Sequence, residues 1–192
     1  MSPGTERTLV LVRHAESAPR ADRPASAWGL TERGRAQAAA AAVRIGAHAP
    51  RVLASSPEPK AVETARRIAD ALGLETRAVP GLEEHARETA PFLADPDDFR
   101  RAVLGMLARP DERVFGEESA DECLARFRAA LDGLMATQPG NVAVVTHGTV
   151  MSLWLEPVLG IPASDVWRSL GFCGFAALAW PSRRPLERHA GA

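Results

Sequence analysis

The chain has 192 residues, a formal charge of −1 and an apolar fraction of 46%, enough for one sizeable domain and short for two. The near-zero balance gives no bulk attraction to nucleic acid or to an anionic membrane, so an anionic ligand must be held by local groups. No apolar run approaches the roughly 20 residues that span a bilayer, and Met1 to Arg7 lacks a secretory apolar core, so a cytoplasmic protein is expected.

Short apolar runs alternate with longer helical patterns, which points to α/β architecture. Thr8 to Val12 reads as a buried strand ended by Arg13-His14-Ala15-Glu16-Ser17. After a loop rich in Pro, Arg and Ala, Thr31 is placed to cap a helix running to about Ala47. Arg51 to Ala54 is a second strand. A helix over about Pro59 to Leu72 stops at Gly73, and Glu63 and Arg67 are spaced in it for an ion pair. Thr76 to Val79 is a third strand.

From Pro80 to Glu118 the chain is charged and interrupted by Pro91, Pro96 and Pro110. Its one clear helix has Asp95 as cap, Pro96 in the first position, and Phe99, Val103, Met106 and Leu107 on one face. The stretch reads as a small helical cap, about 80–118, inserted into a single domain spanning 1–192. Ser119 and Glu122 form a capping box for a long helix with Leu124, Phe127, Leu131 and Leu134 inside. Val142 to Val145 is a strand, His147-Gly148 opens a helix to about Leu159, and Phe175 to Trp180 is the last strand. The expected fold is a three-layer α/β/α sandwich on a mostly parallel sheet, with an antiparallel final strand.

Of 23 basic side chains only Lys60 is a lysine, and it opens a helix just after a short apolar segment. Arg13-His14 and His147-Gly148 also follow apolar runs. Ligands of open α/β sheets bind beyond the carboxyl ends of the strands, so these three elements would converge on one anion. Helix starts near Lys60 and Gly148 would add backbone N–H donors. Cys123 and Cys173 lack metal-motif spacing and read as buried thiols. Taken singly, each of these residues has a plain structural reading. Trp28 and Phe92 read as packing residues, and His48, His85 and His189 as surface. Arg20, Arg23 and Arg87 could meet a second anionic group of a substrate, although solvated surface is the favoured reading.

Four ordered segments are similar to one family. They are Leu11-Val12-Arg13-His14-Ala15-Glu16-Ser17, then Leu30-Thr31-Glu32-Arg33-Gly34-Arg35-Ala36-Gln37-Ala38, then Ser55-Ser56-Pro57 with Glu63-Thr64-Ala65, and finally Val145-Thr146-His147-Gly148. Across roughly residues 8 to 180 the chain resembles the histidine phosphatase superfamily, the phosphoglycerate-mutase-like group. The resemblance implies that His14 is a nucleophile that becomes phosphorylated, and that Arg13 and His147 bind the phosphoryl oxygens. Lys60 stands where most relatives have a second arginine. Glu84 aligns with the proton donor and Glu83 competes with it. Gly116-Glu117-Glu118-Ser119 is similar to the family's Gly-Glu-Ser helix start, with one extra glutamate. Ser17 would contact the phosphate or cap a turn, and Gly148 would offer a backbone N–H.

The chemistry asks for His14 neutral with its second nitrogen held as a donor, for a protonated His147, and for a Glu84 with a raised pKa. The expected activity is a metal-independent phosphatase acting on a small phosphorylated metabolite, with no cofactor and no nucleic-acid or membrane partner. A metal site on His14 and His147 is disfavoured by the flanking Arg13 and Lys60. The alternatives are a phosphoglycerate-type mutase and a catalytically weak phosphate-binding regulatory module. The substrate and the oligomeric state stay open at this level.

Overall fold

The computed structural model describes residues 6–191. The stretch from Met1, read as lacking a secretory apolar core, lies for residues 1–5 outside the described residues. Among the described residues no helix is long and apolar enough to cross a membrane.

Six strands form one mixed sheet: β1 (Arg7–Arg13), β2 (Val52–Ser55), β3 (Thr76–Ala78), β4 (Val142–Thr146), β5 (Phe175–Trp180) and β6 (Pro185–His189), in the order β3-β2-β4-β1-β5-β6. β1 pairs parallel with β4 and antiparallel with β5. Both central strands are buried on two faces, which is why they read as continuous apolar runs. Leu9, Leu11, Val142 and Val144 face one core with Phe127 and Trp154. Val10, Val12, Ala143 and Val145 face the other, with Ile45 and Ile68. Phe175–Trp180 is not the last strand: β6 follows it and pairs antiparallel with it. β6 is exposed along most of its length, with alternation too weak to stand out.

The helices are α1 (Glu32–Gly46), α2 (Pro59–Leu72), α3 (Pro96–Leu107), α4 (Ala120–Thr137), α5 (Gly148–Leu159) and α6 (Ala163–Ser169). Thr31 caps α1 by accepting from the Gly34 N–H, Gly73 ends α2 in the left-handed conformation, and Asp95 caps α3. Both halves of the Ser119–Glu122 capping box are made at α4. The short α6 has no side-chain cap and only seven residues, too little periodicity to be read. Leu82, Val103 and Met106 from the 80–118 stretch enter the same core cluster as α4 and α5. Glu63 does not pair with Arg67. Arg35 of the neighbouring α1 reaches it at 2.6 Å, a longer-range partner that outcompetes the helical one.

Gly34 lies where α1 crosses the loop after β1. A Cβ built there would sit 2.2 Å from the Glu16 carbonyl oxygen. Gly34→Ala is therefore expected to lower the unfolding free energy by about 1–3 kcal/mol through overpacking, although alanine is the better helix former. Urea unfolding checks this, and a stabilised variant would show that the crossing can relax.

Candidate active site

The register of the sheet builds the site. Arg13 of β1 is the partner of Thr146 of β4, so His14 and His147 each follow at the carboxyl end of adjacent parallel strands. The His14 backbone N–H donates to the Thr146 carbonyl at 2.8 Å. The two imidazoles meet edge to face with centroids 5.2 Å apart, and both are buried. His14 Nδ1 lies 2.7 Å from its neighbour's carbonyl, Ala15 O. A carbonyl can only accept, so the proton sits on Nδ1 and the lone pair of the neutral ring is on Nε2. Burial, then Lys60 and Arg13, hold the His14 pKa well below the ordinary histidine value. The neutral ring required of a nucleophile is what the surroundings favour.

His147 departs from expectation. Burial, Lys60 and His14 push its pKa well down as well, so its surroundings favour the neutral ring over the protonated one. Its Nε2 comes within 3.4 Å of Glu58 Oε1, but the alignment misses a hydrogen bond, and both ring nitrogens are without one among the described residues. A phosphoryl dianion would favour the charged ring.

Glu84 also behaves differently. Burial raises its pKa, but the Arg87 guanidinium and the backbone N–H groups of His85, Thr149 and Val150 outweigh burial and leave it below the usual carboxylate value. Thr149 and Val150 are in the first turn of α5 and each donate at 3.1 Å, so the carboxylate occupies a helix N-terminus. Arg126 of α4 holds the loop that carries it, donating to the carbonyls of Gly81, Glu83 and Glu84 at 3.0–3.1 Å while paired with Glu118. Glu83 lies on the Arg126 side, with its carboxylate 3.5 Å from that guanidinium. Glu84 is thus the acidic residue joined to the His147 helix, and Glu83 is not.

Lys60 is buried and ion-paired with Glu58, and its Nζ also donates to Ala25 O at 2.6 Å. Burial lowers the Lys60 pKa and raises that of Glu58, and their mutual attraction opposes both shifts. Glu58 also accepts the Glu84 backbone N–H at 2.8 Å. One carboxylate thus touches the lysine, the second histidine and the acid loop. Sequence reasoning missed it, because a glutamate between Pro57 and Pro59 gives no local sign of burial.

Arg13 packs its guanidinium 4.6 Å over the Phe172 ring and donates to the Leu170 carbonyl. Gly148 leaves room for it, since a Cβ there would lie 3.2 Å from Arg13 Nε. Ser17 bridges to Leu30 and lines the same cavity. Arg87 is not a solvated residue: it lies over Phe99 and Phe115 at 5.3 and 5.8 Å. Arg20 and Arg23 do lie on the surface, paired with Asp22.

Arg13, His14, Ser17, Lys60, Glu84 and Arg87 line a cavity of about 740 Å³, whereas His147 is fully buried behind His14 and is not part of its wall. Trp28 and Phe92 are wall residues and not core, in edge contact at 6.2 Å. A second cavity of about 360 Å³ lies against Lys60, Glu84 and Arg87 on the side of Glu58 and Arg126. The remaining histidines are not all surface. His85 is buried and bound through Nε2 to the Glu118 carbonyl at 2.7 Å. His48 is half-buried beside Glu187 at 3.1 Å, and His189 stacks on Phe175. Cys123 and Cys173 are buried free thiols, and burial pushes Cys173 up to about 12.

His14, His147 and His85 all have depressed values. The unfolded chain therefore takes up protons at these positions as pH falls through about 6.5, while the folded chain does not. Their contribution to stability is present above that value and is lost on acidification. Urea unfolding between pH 7 and pH 5 is expected to show falling stability, by at most about 1.4 kcal/mol per pH unit for each histidine. A flat profile would contradict the burial of the imidazoles.

A family model described as histidine phosphatase superfamily (branch 1) matches residues 9–187. A relative in Yersinia enterocolitica, named as a probable phosphoglycerate mutase GpmB, is 30% identical over 164 residues, covering 80% of this chain and 75% of that protein. The solved structure of a mycobacterial glucosyl-3-phosphoglycerate phosphatase superposes with TM-score 0.73 and 24% identity, over 97% of this chain and all of that one. The α-ribazole phosphatase from Shigella flexneri superposes with TM-score 0.68 and 20% identity, over 96% of each chain.

Proposed function

The chain belongs to the histidine phosphatase superfamily, and on that premise we propose that it is a metal-independent phosphomonoester hydrolase working through a phosphohistidine on His14. The observation that carries this reading is the His14 ring itself, neutral, with Nδ1 engaged by Ala15 O and Nε2 left to attack, lining a large cavity with His147 buried against it.

In the proposed reaction His14 Nε2 bonds to phosphorus as the ester P–O bond breaks, and the departing alkoxide takes a proton from Glu84. Water then attacks the phosphohistidine, its proton returns to Glu84, and inorganic phosphate leaves. Phosphoryl transfer spreads charge over three oxygens, so positioned cations supply most of the catalysis. Arg13 offers a planar fork to two oxygens, and the Gly148 N–H lies at the start of α5. Arg87 and the N–H groups of His85, Thr149 and Val150 favour Glu84 as an anion. A bound dianion would raise its pKa by like-charge repulsion and make it competent as an acid.

The cavity wall favours an ester whose alcohol is apolar and planar. Of the chain's four Trp and six Phe, with no Tyr, six line this cavity: Trp28, Phe92, Phe99, Phe115, Trp167 and Phe172. Rings of this kind stack on flat apolar groups, while Ser17, Asp22, Arg23 and Glu88 supply the polar part of the same lining.

The mutase reading draws on the name of the 28–30% identical relatives. Mutase action requires the intermediate to be sheltered from water while the product reorients, and this cavity is wide. The test is release of phosphate from 1-naphthyl phosphate against interconversion of phosphoglycerates. Faster release, inhibition by vanadate and indifference to EDTA are expected. Faster interconversion would favour the mutase. EDTA inhibition reversed by a divalent metal would reject the proposed chemistry.

A further inference from the structure

The pocket holds one cation whose job the expected set of site residues leaves unassigned. Arg87 follows the acid loop, three residues after Glu84. It lines both cavities together with Lys60 and Glu84, at the boundary between the charged base and the aromatic wall. Its guanidinium is set over Phe99 and Phe115, and its Nη1 is buried without a hydrogen-bond partner among the described residues. Leaving a buried guanidinium donor unpaired is costly unless the ligand completes it.

Lys60, which stands at the position of a phosphate-binding cation, is differently placed. Two of its three donors are committed, one to Glu58 and one to the Ala25 carbonyl. Its charge is compensated by a carboxylate within the pocket. A phosphoryl dianion at His14 would then meet the guanidinium of Arg13, held at one nitrogen by the Leu170 carbonyl and with Nε buried and unpartnered among the described residues, and that of Arg87. Electrostatics agree with this placement. Arg87 depresses both imidazoles and acts on Arg13, Lys60 and Glu84 alike.

We propose that Arg87 supplies the second guanidinium for the phosphoryl group, so that the pocket grips its ligand between Arg13 and Arg87 while Lys60 serves mainly to hold Glu58 and the Ala25 turn. This rests on the reading of the pocket as a phosphoryl site. The competing assignment, contact with a second anionic group elsewhere on the substrate, fits less well. Arg87 is set over Phe99 and Phe115 and lines both cavities with Glu84, whereas Arg23 is already paired with Asp22.

The experiment is titration of the wild-type protein and of Arg87→Met and Arg87→Lys with inorganic phosphate, followed by competition kinetics with phosphate. Phosphate has no second anionic group, so it isolates the proposed contact. Arg87→Met is expected to weaken phosphate at least tenfold. Arg87→Lys should recover part of that loss, since it returns the charge without the fork. The loss in kcat/KM should be similar for substrates with and without a second anion. Unchanged phosphate affinity in Arg87→Met, with loss only for doubly anionic substrates, would overturn the assignment and leave the phosphatase reading intact. Absence of phosphate binding by the wild-type protein would overturn both. Circular dichroism and urea unfolding of Arg87→Met show whether a loss reflects the fold. An equal loss in Phe99→Leu, which removes one supporting ring and keeps the charge, would assign the effect to packing and also reject the proposal.

Discussion

His14→Ala is expected to reduce phosphate release from an aryl phosphate by at least ~10⁴-fold and to abolish acid-labile phosphate on the protein. The size of the effect follows from the geometry. Nε2 of His14 is the one nitrogen of the imidazole pair with its partner position left to the substrate while the other nitrogen is fixed, by Ala15 O. His147 cannot substitute, because it is fully buried behind His14 and neither of its ring nitrogens has a partner among the described residues to fix a tautomer. The remaining cations still bind phosphate, so the variant should retain affinity for the product while losing turnover. Quench-flow labelling with a radioactive substrate checks this. Activity within tenfold of wild type, or label that survives the substitution, would remove His14 from the nucleophile's role.

Lys60→Met is expected to cost about 3–5 kcal/mol of stability in addition to lowering turnover. Both partners of the Lys60–Glu58 pair are nearly inaccessible, at 4% and 8% exposure. Removing the ammonium leaves a buried carboxylate facing His147 and the Glu84 backbone with no compensating charge. The pair itself contributes little net stability, because desolvation offsets attraction. The double variant Glu58→Gln/Lys60→Met should therefore recover most of the lost stability. It should not recover turnover: the glutamine carbonyl oxygen can still accept the Glu84 N–H, but no ammonium is left to hold the Ala25 carbonyl against the pocket. Lys60→Arg keeps the charge and should stay within about tenfold of wild-type activity, with a fork replacing a point charge. Urea unfolding and kcat/KM on the wild type, Glu58→Gln, Lys60→Met and the double variant form a double-mutant cycle. Additive stability effects would show that the pair is screened after all.

Features with local causes could be read from the chain. Thr31, Asp95 and Ser119 cap their helices through side-chain oxygens a few residues from the N–H groups they satisfy, and Gly73 ends α2 by adopting a backbone that other residues avoid. The buried strands announced themselves as apolar runs, and the strand ends carried Arg13-His14 and Thr146-His147 to one place because the sheet sets them side by side. What escaped had causes far along the chain. Glu63 met Arg35 and not Arg67, since a neighbouring helix presented a better partner. Glu58 and His85 are polar residues whose burial depends on Lys60, Glu118 and the folded loops around them. Arg87 looked like any exposed arginine until Phe99 and Phe115 closed beside it. The charge states of His147 and Glu84 have equally distant causes: burial and Lys60 favour the neutral ring, and Arg87 with the first-turn N–H groups of α5 favours the carboxylate.

The pairing of Arg13 with Thr146 joins segments far apart along the polypeptide, and its consequence is temporal. Contacts between such distant segments form late, after nearby helices have already assembled. Turnover should thus return after helical signal during refolding, as a report that the two segments have found each other in the correct alignment. A shift by a single residue would turn both imidazoles to opposite sides of the pleat, so an intermediate with most of its helices formed should still be catalytically silent.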